Sequence, residues 1–208
     1  MSWKAPVAVV VSLVIAAALT LWVSFVTPLP GDVAVSHAVQ SVAAPWLDAF
    51  MGAVSFLSDD LLAIGSVLAV AAALAAWRRW PETVAFLGVL AADVALRLPK
   101  VLVDRGRPTE ELVHVLERGS GGGFPSAHAY HMTVFVGLVL LMLAPRIPSA
   151  PLRWAAMAAL VALIVLTGVS RVYLGAHWPS DVLGAFAYGI PSVAALAAGY
   201  RWLARRLG

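Results

Sequence analysis

Six apolar segments dominate this sequence and limit what the chain can fold into. They cover roughly residues 5–26, 61–77, 82–103, 128–144, 152–169 and 181–203. Each approaches the roughly 20 apolar residues that a helix needs to cross a membrane. The 208-residue chain is 62% hydrophobic and only 12% charged, unlike an ordinary soluble domain. The sequence therefore predicts an all-α, polytopic membrane bundle of six transmembrane helices, forming one domain over residues 1–208.

The stretch from residue 33 to residue 57 differs from these segments. It is only moderately apolar, carries His37, Gln40 and Asp48, and is interrupted by Pro45. It predicts a short interfacial helix between the first two spans rather than a seventh span. The first apolar segment is too long for the apolar core of a signal peptide, so we expect it to be retained.

The basic residues predict how the bundle is oriented. If the N-terminus is cytoplasmic, Glu82 is the only acidic residue on the inner side. The basic residues on that side are Lys4, Arg78, Arg79, Arg146, Arg153, Arg201, Arg205 and Arg206. This excess follows the positive-inside rule, so we expect both termini in the cytoplasm. Because the arginines are scattered over segment ends, the net charge of +3 does not indicate a nucleic-acid partner.

Three polar motifs lie at the ends of apolar segments, all on the predicted outer side. They are Lys100 with Arg107-Pro108, then Pro125-Ser126-Ala127-His128, then Ser170-Arg171 with His177 and Asp181. Charged groups beside membrane spans are costly to keep and are therefore functional candidates. Together the motifs supply three cations, two histidines, a serine and a carboxylate, which are the groups needed to hold and transfer a phosphate.

The first motif combines two cations with different geometry. A lysine supplies a compact charge, while an arginine supplies a planar fork that can grip phosphate with two hydrogen bonds. The alternative is that Lys100 and Arg107 only extend from a helix end toward water. Asp93, Arg97 and Lys100 share one helical face, and the spacing of four predicts an intrahelical ion pair between Asp93 and Arg97.

The second motif follows a glycine-rich loop, residues 119–123, and begins the fourth apolar segment. A helix N-terminus presents free N–H groups and binds anions. Ser126 suits the N-cap position, and His128 in the first turn could protonate a leaving alkoxide. The alternative is a flexible loop with an ordinary helix cap. His131, on the same face as His128, is expected to support the site or fill the core.

The third motif pairs a histidine with a carboxylate four residues later, across a turn at Pro179. A carboxylate that accepts a hydrogen bond from one imidazole nitrogen leaves the other nitrogen free to attack. His177 and Asp181 could instead be metal ligands. The chain has no cysteine and no third ligand at a typical spacing, so we expect neither a metal nor a cofactor.

In this order, Lys100-x6-Arg107-Pro108, Pro125-Ser126-x-His128 and Ser170-Arg171-x5-His177-x3-Asp181 resemble the tripartite signature of the type 2 phosphatidic acid phosphatase superfamily. That superfamily also includes bacterial lipid phosphatases, glucose-6-phosphatase and the vanadium haloperoxidases. The signature covers residues 100–181, and the six-span layout extends the resemblance over nearly the whole chain.

The resemblance implies a metal-independent membrane phosphatase that acts on a lipid phosphate or diphosphate at the outer membrane face. His177 would be the nucleophile that forms a phosphohistidine, Asp181 would orient it, and His128 would be the acid for the leaving group. The phosphate would be held by Lys100, Arg107, Arg171, Ser126 and the backbone of Ala127. The supporting residues would be Ser170, Pro108 and His131.

Several substrates and two other activities are compatible with the sequence. A polyprenyl diphosphate, a phosphatidate and a phosphatidylglycerophosphate all fit the resemblance. The same site could transfer the phosphoryl group to another lipid. A transporter that binds a lipid phosphate without cleaving it is the alternative outside enzymes.

Ala127 is one departure from the resemblance, because the family usually has glycine at this position. Alanine keeps the backbone N–H but adds a methyl group near the phosphate and loses access to positive φ. We expect the change to be tolerated if the backbone of Ala127 is helical.

Overall fold

The computed structural model describes residues 4–207, and every regular element in that range is helical. Met1–Trp3 and Gly208, the ends of the predicted single domain, lie outside it. The α-helices are α1 (Lys4–Val23), α2 (Asp32–Gln40), α3 (Pro45–Phe56), α4 (Asp60–Ala76), α5 (Trp80–Ala95), α6 (Arg97–Val103), α7 (Ala127–Leu138), α8 (Ala150–Tyr173) and α9 (Pro179–Leu207). A π-helical turn at Val139–Leu143 and a 3₁₀ turn at Ala144–Arg146 extend α7.

Four of the described helical stretches are long and apolar enough to cross a membrane. They are Pro6–Val23, Ala127–Arg146, Ala150–Tyr173 and Pro179–Leu207. The pair α3 and α4, bent by 50°, adds a fifth if it acts as one span. The chain is therefore an all-helical protein with several membrane-spanning helices, while the predicted count of six is not confirmed.

The predicted third span is divided at Leu96 into α5 and the short α6. Pro99 explains the break, because a proline has no N–H to donate to the carbonyl four residues earlier. The division places Lys100 on a separate helix that ends at the site described below.

The region predicted as one interfacial helix forms two helices, and its interfacial position is not confirmed. Pro45 begins α3, where its missing N–H costs no helical hydrogen bond. α2 instead contacts the loop before α7 and the end of α8: the Gln40 side chain donates to the carbonyls of His114 (2.7 Å) and Tyr173 (2.9 Å). His37 also contacts this loop, with its Nε2 2.7 Å from the Leu112 carbonyl.

Helix α7 lies at the centre of the bundle and packs against α5, α8 and α9. Its crossing with α9 depends on two glycines. A Cβ at Gly137 would lie 2.7 Å from the Val193 side chain, and one at Gly189 would lie 2.5 Å from Thr133. Small residues allow such close helix contacts in membranes. The beginnings of the two helices meet as well, since the Ser126 N–H donates to the Asp181 carbonyl at 3.2 Å.

An ion-pair cluster fixes the opposite end of the bundle. The buried Glu82 accepts hydrogen bonds from Arg79 and Arg146, each at 2.8 Å. The cluster connects the beginning of α5 to the 3₁₀ turn after α7.

Candidate active site

The three polar motifs meet at one cavity of about 570 Å³. Its lining includes Lys100, Arg107, Ala127, His128, Arg171 and His177. These residues come from α6, the following loop, the beginning of α7, the end of α8 and the turn before α9. The volume lies within the range of sites that bind small molecules.

His177 lies in the turn between α8 and α9 and is only 2% exposed. Its Nδ1 is 3.3 Å from Asp181 Oδ2, and its Nε2 is 3.1 Å from Arg107 Nη1. A guanidinium can only donate, so Nε2 accepts and the ring proton belongs on Nδ1, which donates to Asp181. Burial lowers the pKa of His177 to about 4, although hydrogen bonding to Asp181 acts in the opposite direction. The ring is therefore neutral at neutral pH.

Asp181 belongs to a buried network that the sequence analysis missed. Its Oδ2 accepts from the Trp178 N–H at 2.9 Å, and its Oδ1 accepts from Arg105 Nη1 at 2.5 Å. Arg105 Nη2 donates to Asp32 Oδ2 at 2.7 Å. The side chain of Ser180 also donates to Asp32, at 2.7 Å. The one signal in the sequence was that Arg105 lies on the predicted outer side, where the positive-inside rule gives no reason for a cation.

Arg107 connects the glycine-rich loop to the turn that carries His177. Its guanidinium donates to the carbonyls of Gly121 (3.0 Å), Ser120 (3.0 Å) and Ala176 (2.8 Å). A Cβ at Gly119 would overlap the guanidinium, so the close approach requires glycine. Burial, together with the charge of Arg171, lowers the pKa of Arg107. A lowered pKa is expected where several cations lie close together, as they do in an anion-binding site.

Arg171 projects from the last turn of α8 and is 1% exposed. Its Nη1 donates to Glu117 Oε1 at 2.8 Å and to Ser55 Oγ. Its Nε has no hydrogen-bond partner in the part of the chain that the structure describes. Glu117 and Ser55 were not predicted, because they lie far from Arg171 in sequence.

Lys100 also lines the cavity. Its Nζ donates a hydrogen bond to the Pro125 carbonyl at 3.4 Å.

The second motif begins α7 with Ser126 at the N-cap, but the serine side chain makes no capping hydrogen bond. Its Oγ is buried with no hydrogen-bond partner among residues 4–207, and Ser126 lies directly before the cavity-lining Ala127 without lining the cavity itself. Ala127 is the first helical residue, and its φ is not positive. The alanine is therefore accommodated without backbone strain. His128 follows in the first turn and lines the cavity.

The predicted supporting residues separate into two groups. Ser170 and the buried Pro108 do not line the cavity. The Ser170 hydroxyl donates to the Thr167 carbonyl at 2.7 Å within α8. His131 does line it, with Nδ1 2.9 Å from Asp93 Oδ2. The predicted pair between Asp93 and Arg97 is absent from the described residues. It was wrong because α7 brings His131 against Asp93, a contact that the spacing along α5 could not indicate.

The described residues contain no group of three or more metal-binding side chains placed to hold one ion. The cavity wall instead includes Lys100, Arg107 and Arg171 together with the first residues of α7. Such donors suit the oxygens of a phosphate-like anion.

The fold is that of a multi-pass helical membrane protein, with a cavity lined by histidines and cations. The chain belongs to the PAP2 superfamily, whose sequence model matches residues 82–205.

Named relatives are phosphatases. Phosphatidylglycerophosphatase B of Bacillus subtilis (strain 168) is 29% identical over 76% of this chain and 78% of its own length. Decaprenylphosphoryl-5-phosphoribose phosphatase of Mycobacterium tuberculosis is 36% identical over 76% of this chain and 85% of its own. Together with the family match, these names make the chain a member of a family of phosphatases that hydrolyse phosphate esters.

Two solved structures share the fold. A transmembrane PAP2-type phosphatidylglycerolphosphate phosphatase from Bacillus subtilis superposes with a TM-score of 0.79, at 22% identity, over 99% of this chain and 98% of that chain. LpxE from Aquifex aeolicus gives a TM-score of 0.59, at 19% identity, over 79% of this chain and 93% of that chain. These likenesses support the all-helical membrane architecture.

Proposed function

We propose that this chain hydrolyses a lipid phosphate or diphosphate through a phosphohistidine on His177. The observation that carries the proposal is the neutral His177 ring, whose Nε2 faces Arg107 while its Nδ1 donates to Asp181. An unprotonated nitrogen beside clustered cations is an activated nucleophile next to a phosphate site.

The phosphate oxygens bind between Lys100, Arg107 and Arg171. Further donors are the Ser126 hydroxyl and the free N–H groups at the beginning of α7. Substrate replaces two contacts: the one between Arg107 and His177, and the one between Arg171 and Glu117. The cations then stabilise the charge that develops on the transferring phosphoryl group.

In the first step, His177 Nε2 attacks phosphorus, a P–N bond forms, and the P–O bond to the lipid breaks. The bound phosphate is an anion and favours the protonated form of His128, which donates its proton to the departing oxygen. The imidazole gains positive charge as its phosphoryl bond forms, and the Asp181 carboxylate stabilises that charge through Nδ1–H.

In the second step, water attacks the phosphorus of the phosphohistidine. His128, now neutral, accepts the proton from water, and the P–N bond electrons return to Nε2. Inorganic phosphate leaves, and both histidines regain their initial states. No step requires a metal ion or a cofactor.

We place the reaction at the outer face of a bacterial-type cytoplasmic membrane, with both termini inside and α5–α6 completing six spans. The excess of arginines at the end of the bundle opposite the cavity supports this orientation. The cavity wall also includes the apolar side chains of Ala63, Ile64, Leu90 and Val94, beside which a lipid tail can lie. The named substrates of the relatives are likewise lipids that carry phosphate.

Phosphate release from a panel of lipid phosphates in detergent tests the proposal. We expect release by the wild-type protein, no release by His177→Ala, and unchanged release in EDTA. Equal activity of His177→Ala would remove the nucleophile assignment, and loss of activity in EDTA would contradict the metal-free reaction.

A further inference from the structure

The cavity extends past the phosphate-binding cations to a second polar pair, Asp93 on α5 and His131 on α7. His131 Nδ1 lies 2.9 Å from Asp93 Oδ2. The His131 ring stacks on Phe135, with ring centroids 5.7 Å apart and planes at 11°. Packing therefore fixes the ring, and none of the chemical steps proposed above uses either residue. Ionisable groups inside apolar helices are costly and usually have a function.

We infer the position of the pair relative to the substrate from the proposed role of His128. His131 follows His128 by one helical turn, which places the two side chains about 5–6 Å apart on the same face of α7. Because His128 is the proposed proton donor to the departing oxygen, atoms of the lipid just beyond that oxygen reach Asp93 and His131.

The hydrogen-bonding capacity of Asp93 and His131 determines which group of the lipid can bind beside them. The Asp93 side chain remains 29% exposed and so keeps acceptor capacity toward the cavity. A carboxylate accepts a hydrogen bond from a hydroxyl but repels a second phosphate. Arg97, which also lines the cavity, can donate to the oxygen of the same hydroxyl. An ester-substituted or purely hydrocarbon leaving group offers no hydrogen-bond donor to the exposed part of the Asp93 carboxylate.

We propose that Asp93 and His131 form a subsite for a free hydroxyl on the leaving group, on a carbon next to the phosphoester. The pair thereby selects phosphomonoesters of polyol-linked lipids over phosphatidates and prenyl diphosphates. This inference rests on the proposed phosphatase activity and specifies its substrate class.

The experiment compares two substrates that differ in one hydroxyl group. One is phosphatidylglycerophosphate, and the other is the same lipid built on 1,3-propanediol, which lacks only the hydroxyl beside the phosphoester. The ratio of their kcat/KM values is measured in detergent for the wild type, Asp93→Leu and His131→Phe. Phenylalanine keeps the ring that stacks on Phe135 while removing both nitrogens.

Tyr130→Phe is the matched control variant. It removes a hydrogen bond of α7, between Tyr130 and Ser192, at a residue that does not line the cavity. A general loosening of the bundle lowers kcat/KM for both substrates together, whereas loss of the subsite changes their ratio.

We expect the wild type and Tyr130→Phe to prefer the hydroxyl-bearing lipid by about tenfold or more, as a hydrogen bond to a charged group supports. In Asp93→Leu and His131→Phe the ratio falls close to one, with activity on the propanediol lipid retained. A wild type that does not discriminate, or variants that keep its ratio, would overturn the subsite while leaving the phosphatase proposal standing. Absence of phosphate release from either lipid and from the wider panel would contradict the phosphatase proposal itself.

Discussion

At the scale of single residues, His177 has a different partner at each ring nitrogen. The Asp181 carboxylate accepts a hydrogen bond from Nδ1–H, and the Arg107 guanidinium donates one to Nε2. The other tautomer would place N–H against N–H at Arg107 and a lone pair against the Asp181 carboxylate. The reactive nitrogen is therefore chosen before substrate arrives.

The pKa of His177 gives the first prediction. Burial lowers this pKa to about 4, whereas the usual histidine value is 6.5. As the pH falls from 7, the ring therefore stays neutral at pH 6.5 and becomes protonated only near pH 4. We expect an NMR titration of histidine-labelled protein in detergent to show this midpoint for the signal that His177→Gln removes. A midpoint at or above 6.5 would contradict the buried, neutral nucleophile.

Gly119 gives the second prediction, because its missing side chain leaves room for the Arg107 guanidinium. Gly119→Ala should displace that guanidinium and lower kcat/KM by about tenfold or more, the effect of losing a hydrogen bond to a charged group. The control is Gly52→Ala on α3, where an added Cβ meets no atom within 4 Å. Equal kcat/KM values for the two variants would show that Arg107 does not need its present position.

At the scale of helices, Arg105 connects three elements that are distant in sequence. Its guanidinium binds Asp181 in the first turn of α9 and Asp32 in the first turn of α2. Arg105 itself lies in the loop after α6, and its side chain is fully buried. Each carboxylate also accepts N–H groups at the beginning of its helix, where negative charge is favourable.

Removing Arg105 should destabilise the fold and slow the reaction together. Arg105→Gln leaves two buried carboxylates without their cation, for an expected loss of about 3–5 kcal/mol in the free energy of unfolding. We also expect kcat to fall more than KM rises, since Asp181 loses its position while the phosphate-binding cations stay.

A double-mutant cycle with Asp32→Asn checks this network by thermal unfolding in detergent. Because Asp32 and Arg105 share one ion pair, the double variant should be less destabilised than the sum of the two single variants. Strictly additive losses would mean that the pair contributes no coupling.

Hydropathy located α1, α8 and α9, although the predicted segments 5–26, 152–169 and 181–203 miss their ends by up to four residues. The break at Leu96 was not predicted, although Pro99 was a visible signal for it. Partners that depend on tertiary packing, such as Asp93 with His131 or Arg105 with Asp32, lie 38 and 73 residues apart. The spacing along one helix cannot reveal such contacts. For Asp93 it favoured Arg97, which was the wrong partner.

At the scale of the whole molecule, the two ends of the bundle differ in their charged residues, and only one of them contains the cavity. The cavity end gathers the cations of the three polar motifs, while the other end carries arginines beside the buried Glu82. The sequence could place the motifs on one side by counting charges. It could not indicate that Ser55, Glu117 and Asp32 join them, since folding alone brings those groups together.

The orientation in the membrane can be tested directly because the chain contains no cysteine. Single cysteines replace Glu111, in the loop before α7, and Arg205, near the end of α9. An impermeant maleimide added to intact cells should label Glu111→Cys and leave Arg205→Cys unlabelled until the membrane is opened. The reverse pattern would place the cavity on the cytoplasmic side.

The central claim is that the phosphoryl group passes through His177, and rapid-quench labelling tests it most directly. The protein is mixed with lipid phosphate labelled at phosphorus, stopped in alkali within one turnover, and digested for peptide analysis. The mechanism predicts an acid-labile, alkali-stable phosphoryl group on the peptide containing His177, and no such label in His177→Ala. Phosphate release without labelled protein, or label on any other residue, would contradict it.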